Sequence, residues 1–184
     1  STRKESSAAS DVYKRQKLDG LEGRGFVHGS VDCFGLLRDF YKLNFNIDTP
    51  DIARPDEWWE PDENGNHLNL YMDHFHECGF SLFNGHPRHW QPGDVILMAI
   101  RSPVANHGAV LFPGEMILHH LVGQRSGIEN YNRPLYRDTT VGVLRHPAVD
   151  PNAFFQEVEI DVMQLVPEHI RKEVEAARRE RGDV

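Results

Sequence analysis

The chain of 184 residues is poor in cysteine, in long apolar runs and in positive charge. Two cysteines, Cys33 and Cys78, cannot supply a disulfide framework, so a small fold held by staples is excluded. No run approaches the roughly 18 consecutive apolar residues of a spanning helix, so no membrane insertion is expected. The first residues lack the charged, apolar and small-residue blocks of a secretory signal. A net charge of −8 argues against affinity won by neutralising phosphates, so no nucleic acid partner is expected. At 39% hydrophobic, the chain nevertheless carries too much apolar surface for a wholly disordered protein, and its length supports one domain with its own core.

What is abundant is histidine, with eleven copies. Charge is uneven: residues 23–160 hold ten Lys/Arg against eighteen Asp/Glu, and the ends are nearly balanced. Three parts are expected. Residues 1–19 form a disordered or non-native lead-in, residues 20–147 the working domain, and residues 148–184 an extension with a charged helix from Pro167 to Arg181. Within the middle, Leu36, Leu37, Phe40 and Tyr41 recur at helical spacing behind Asp32, a plausible cap. A second helix is predicted from about His67 to Cys78, with Leu68, Tyr71, Met72 and Phe75 on its face and Gly79 closing it. Short strands follow at Val95–Ile100, Gly108–Phe112, Met116–Leu121 and Thr140–Arg145, the middle two joined at Pro113-Gly114. Helices preceding antiparallel strands make an α+β arrangement, with the helices on one side of the sheet.

Cys33 falls in the first turn of the first predicted helix. Unpaired amides and the positive end of the helix dipole there favour an anion, which predicts a lowered thiol pKa and a competent nucleophile. Alternation along the hairpin places His107, Ala109 and Leu111 on one face, and Ile117, His119 and Leu121 on one face of the partner strand. His120 points the other way. Two histidines twelve residues apart across the hairpin can thus be neighbours, one acting as base and one orienting it.

These residues carry a resemblance. Asp32-Cys33-Phe34-Gly35-Leu36, Gln91-Pro92-Gly93-Asp94-Val95-Ile96-Leu97, His107-Gly108-Ala109-Val110 and Ile117-Leu118-His119 resemble, in order, the motifs of the NlpC/P60 cysteine peptidases. Phe26-Val27-His28-Gly29, Trp58-Trp59 and Leu118-His119-His120-Leu121-Val122-Gly123 resemble the branch of K-type tail assembly proteins of lambda-like phages. The likeness spans roughly residues 20–146. It implies a papain-like α+β fold of N-terminal helices on a small antiparallel sheet. It also implies a cysteine endopeptidase that cleaves peptidoglycan stem peptides between D-glutamate, through its γ-carboxyl, and a diamino acid. Cys33 is then the nucleophile, His107 the general base and His119 the residue that orients it. The backbone N–H of Cys33 would contribute to the oxyanion hole. Other phage tail proteins are implied partners, and the virion tail, or the host cytoplasm during assembly, is the implied location. The likeness implies no cofactor. Phe34 departs from the family's usual serine. The tyrosine that commonly precedes the cysteine has no equivalent, since Phe26 stands nearest and cannot donate.

Other features carry less chemistry. His74 and Cys78 have an i,i+4 spacing that could hold a metal, but the apolar stripe beside them reads as an ordinary half-buried helix, and no metal site is expected. Asp32 reads as a cap rather than a triad carboxylate. Trp58 and Trp59 are candidate walls for the substrate, with core packing as the alternative. Two other functions remain open: a structural tail subunit that keeps the fold for assembly, and an amidase or acyl transferase on the same scaffold.

Overall fold

A computed structural model describes residues 18–155. Residues 1–17 of the expected lead-in and the expected helix at Pro167–Arg181 lie outside the described residues.

The first helix, α1, runs Cys33–Phe45. Asp32 caps it: its extended backbone turns the chain, and its Oδ1 accepts a hydrogen bond from the Gly35 N–H at 2.9 Å. The helix ends at Asn46, which adopts the left-handed conformation (φ 53°) and returns its N–H to the carbonyls of Lys42 and Tyr41. Its buried stripe is Leu36, Leu37, Phe40 and Tyr41, as the spacing predicts. The second helix, α2, is shorter than its periodicity predicts and covers only Leu70–His74. Asn69 supplies no side-chain cap, and the chain leaves the helix through turns, with the Phe80 N–H bonded to the Phe75 carbonyl. Tyr71, Phe75 and Cys78 are still buried, so the apolar spacing marks an inward face and overstates the helix.

The strands follow in order: β1 Ser81–Leu82, β2 Val95–Met98, β3 His107–Phe112, β4 Met116–His119 and β5 Gly127–Asn130. After the one-turn helix α3, Pro134–Arg137, comes β6, Thr140–Arg145. All pairings are antiparallel, and the sheet order is β1-β6-β2-β3-β4-β5. The fold is α+β. The two edge strands, β1 and β5, have no counterpart in the sequence reading. β1 is two residues long, and β5 (Gly-Ile-Glu-Asn) has too little apolar alternation to stand out.

The central strands β2, β3 and β4 are buried on both faces. Val95, Leu97, Val110, Phe112, Leu118 and Leu144 pack on the α1 stripe. Ile96, Met98, Ala109, Leu111, Ile117 and Val143 pack beneath Tyr136 of α3, Trp90 and Tyr131. Helical cover is therefore not confined to one side. Phe154, assigned by sequence to the extension, is 1% exposed and lies among Phe40, Phe45 and Phe112. Burying one such ring contributes about 1.5–3 kcal/mol, so the packed unit continues to Phe154.

Candidate active site

Asp32 holds the approach to Cys33. Besides capping α1, its Oδ2 accepts the Gly29 N–H at 2.9 Å and the Arg54 guanidinium at 2.7 Å. Both side chains of this ion pair are nearly inaccessible, at 3% and 6% exposed. The guanidinium also lies over the Phe34 ring, 4.8 Å from its centroid. Phe34 thus packs against the charge that neutralises the cap. Gly35 is required for a different reason: a Cβ there would stand 2.2 Å from the Ser30 carbonyl oxygen, so the turn could not close on the helix.

Cys33 is half-buried, and its Sγ lies 3.3 Å from Tyr71 Oη and 4.0 Å from the Asn106 carbonyl oxygen. Asn106 is itself clamped, because its side-chain amide exchanges hydrogen bonds with the backbone of Ile100 at 2.9 and 3.1 Å. His107 follows as the first residue of β3, where it pairs with Met98. Its Nε2 faces His119 Nδ1 at 3.1 Å. The β3–β4 register sets Leu111 opposite Ile117, which puts His107 and His119 on one face as alternation predicts. Gly108 lets these parts meet. A Cβ there would approach Leu37 Cδ1 and Tyr71 Oη to 2.9 Å each.

The electrostatics differ from the sequence expectation. Burial pushes the Cys33 thiol up from its ordinary value, with Asp32 adding to the rise. The Tyr71 hydroxyl and the backbone at Gly108 and Phe34 pull it down without reversing the net direction. The helix start therefore does not make a resting thiolate. His107 is pushed down to about 3 by burial and by His119 and His120. His119 is pushed down to about 4 by burial, against the opposing pull of Glu129. At neutral pH the thiol and both imidazoles are therefore uncharged, and the hydrogen bonds of Cys33 Sγ among the described residues go to Tyr71 and Asn106 rather than to His107. Tyr71 is pushed well above its ordinary value by burial and by Cys33, so it remains a phenol that can donate.

One cleft of about 860 Å³ takes in Cys33, His107, Tyr71, Trp58, Trp59 and His120. That is ample for a peptide segment. His119 stands behind His107. Trp58 is 6% exposed and packs on Tyr71 and Trp59, while Trp59 is part-exposed and meets His28 edge-on at 5.9 Å. His120 is fully buried edge-on to Phe26, with neither ring nitrogen hydrogen-bonded among the described residues. His74 Nδ1 pairs with Glu77 at 2.9 Å.

The family profile of NlpC/P60 matches residues 20–145. The chain belongs to the NlpC/P60 family. Among curated proteins it is similar to tail tip assembly protein K of Escherichia phage lambda, 37% identical over 143 residues, or 78% of this chain and 67% of that protein. Tail tip assembly protein K of Escherichia phage N15 is 34% identical over 141 residues, 77% of this chain and 55% of that protein. The chain therefore spans between about half and two thirds of these relatives' length. Two solved NlpC/P60 structures show more distant likeness. One is a lipoprotein-like protein of Staphylococcus aureus subsp. aureus Mu50, with TM-score 0.49 and 18% identity over 76% of this chain and 41% of that one. The other comes from Bacillus cereus ATCC 10987, with TM-score 0.41 and 19% identity over 62% and 31%.

The family's Pro-Gly-Asp motif has a structural role in this member. Asp94 accepts the Gln91 N–H at 2.9 Å and a two-pronged contact from Arg145 at 2.7 Å, which ties the start of β2 to the end of β6. Tyr71, Arg54 and Glu129 stand beside the site and were not singled out by sequence reasoning. Tyr71 sat on an apolar stripe, and Glu129 on a strand without alternation.

Proposed function

We propose that this NlpC/P60 protein is a cysteine endopeptidase that cleaves peptidoglycan stem peptides at the bond between γ-linked D-glutamate and a diamino acid, acting within a phage tail or during its assembly. The observation that supports the reading is that Cys33, Tyr71 and His107 line one cleft, with His119 hydrogen-bonded behind His107. The tail context rests on the similarity to the two K proteins, and other tail proteins are the proposed partners.

The mechanism is general-base catalysis rather than attack by a standing ion pair. His107 Nδ1, the ring nitrogen not engaged by His119, takes the thiol proton as Sγ bonds to the carbonyl carbon. The Tyr71 hydroxyl donates to the sulfur while it carries charge. The carbonyl π pair moves to oxygen, which the Cys33 amide at the helix start receives. Collapse expels the amine with the proton from His107. Water, deprotonated by the same ring, then hydrolyses the thioester and restores the thiol. Trp59 walls the cleft against the peptide, backed by the buried Trp58.

Mass spectra of muropeptides incubated with wild type, Cys33→Ala and Cys78→Ala test the reading. Loss of cleavage in Cys33→Ala alone supports it, and the fragment masses identify the bond. Equal cleavage by Cys33→Ala rejects it. Folded wild type that cuts nothing supports the structural tail subunit instead.

A further inference from the structure

Glu129 lies at the far end of a line of side chains that begins at His107. Its Oε2 is 3.8 Å from His119 Nε2, and the other nitrogen of that ring, Nδ1, faces His107 Nε2 at 3.1 Å. The β4–β5 register sets Ile117 opposite Glu129 and His119 opposite Gly127, so Glu129 is on the face of the sheet that carries the His119 ring. The carboxylate is held in place. Oε2 accepts the Tyr136 hydroxyl at 2.6 Å, and the Tyr136 ring meets His119 edge-on, 4.9 Å between centroids. Burial and Glu129 push the Tyr136 phenol up to about 12, so it remains a donor. Arg133, 60% exposed, pairs with the same oxygen from the solvent side.

We propose that Glu129 is a positioning residue for the Cys33–His107–His119 set, fixing the proton positions on both histidines and stabilising the charge they receive. This deepens the peptidase reading and rests on it. A neutral imidazole carries one N–H, and a carboxylate only accepts. At 3.8 Å Glu129 is beyond hydrogen-bond distance and acts on His119 through its charge, which favours the proton on Nε2 and leaves Nδ1 as a lone pair. That lone pair accepts from His107 Nε2–H, which leaves His107 Nδ1 as the lone pair on the ring that shares the cleft with Cys33. When the thiol proton moves to His107 Nδ1, sulfur's electron pair forms the bond to carbon, and positive charge appears on the coupled rings. Glu129 takes no proton; its negative charge stabilises the cation through His119. The other groups facing the pair oppose that charge: burial, His120 and, for His119, Arg133. Glu129 is the one that favours it.

Opposite neighbours give opposite predictions. Glu129→Gln keeps the acceptor for Tyr136 and removes the charge. It should lower kcat about tenfold, the size of one pKa unit of lost charge stabilisation, with KM and melting temperature unchanged. Arg133→Gln frees the Glu129 charge and should raise kcat. Ring 15N shifts of the full chain at pH 7 should show both His107 and His119 as Nε2–H tautomers in the wild type. Unchanged kcat in Glu129→Gln, a kcat in Arg133→Gln that falls or stays level, or a His119 protonated on Nδ1, overturns the proposal. A wild type without hydrolysis refutes the peptidase reading, and the ring shifts then still decide the proton positions.

Discussion

The Tyr71 hydroxyl lies 3.3 Å from the Cys33 sulfur, and the glycine that admits it, Gly108, follows the proposed base His107. Nucleophile, donor and base are thus interlocked through three separate segments of the chain. Burial has already raised the thiol's pKa, so the phenol is the strongest influence that lowers it. Tyr71→Phe should raise that pKa further, since a hydrogen bond to a charged group contributes roughly 1.5–3 kcal/mol. The check is the pH dependence of iodoacetamide alkylation, mapped to Cys33. The wild-type rate should climb through and beyond pH 9, and in Tyr71→Phe it should be lower at pH 8 by a factor of about ten or more. A flat wild-type profile from pH 5 to 9 would instead indicate a standing thiolate and contradict the neutral resting state.

His107 and His119 are buried without charge, and this sets the acid limit of stability. Both have folded pKa values depressed from 6.5, to about 3 and about 4. Below pH 6.5 the unfolded chain binds protons that the folded protein rejects. Stability is therefore full above about pH 7 and is lost as pH falls from 6.5 through about 4 and toward about 3. The slope approaches about 1.4 kcal/mol per pH unit for each histidine. Denaturant midpoints measured from pH 7.5 to 5 should fall steadily, and His119→Asn should flatten the trend. A midpoint that does not change over that range rejects this picture.

The adjacent tryptophans should behave differently. Trp58 is almost completely buried on Tyr71, so Trp58→Ala should cost about 3–5 kcal/mol of stability and disturb the thiol through its donor. Trp59 presents a part-exposed edge to the cleft. Trp59→Ala should leave melting nearly intact and raise KM several-fold. Thermal melts and steady-state kinetics on both variants separate wall from core. Identical behaviour would remove the distinction.

The buried Asp32–Arg54 pair beside Cys33 should be sensitive to the loss of either partner. Asp32→Ala removes a helix cap and strands a guanidinium that is 6% exposed. Loss of one partner of a buried pair costs about 3–5 kcal/mol. Asp32→Ala together with Arg54→Met should recover part of that loss in denaturant titrations. An additive double variant would show that the two do not depend on each other.

The sequence reading located α1, its Asp32 cap, the β3–β4 hairpin and the shared face of His107 and His119, because each rests on local periodicity or capping. It missed what depends on contacts between distant segments. Tyr71 read as core because its helical position is apolar; its hydroxyl gains meaning only where Gly108 lets β3 approach. Glu129 sits on an edge strand that carries no pattern. The thiol's direction was misjudged for a related reason. The helix-start argument counts nearby dipoles, whereas desolvation by the surrounding fold is larger and cannot be read from neighbours in sequence.

The most direct test of the central claim is release of new amino groups from a γ-D-glutamyl-diamino acid peptide, comparing folded wild type with folded Cys33→Ala at equal concentration. The account predicts steady release by wild type and none above background by Cys33→Ala. Equal release from the two proteins, or none from folded wild type, would contradict it.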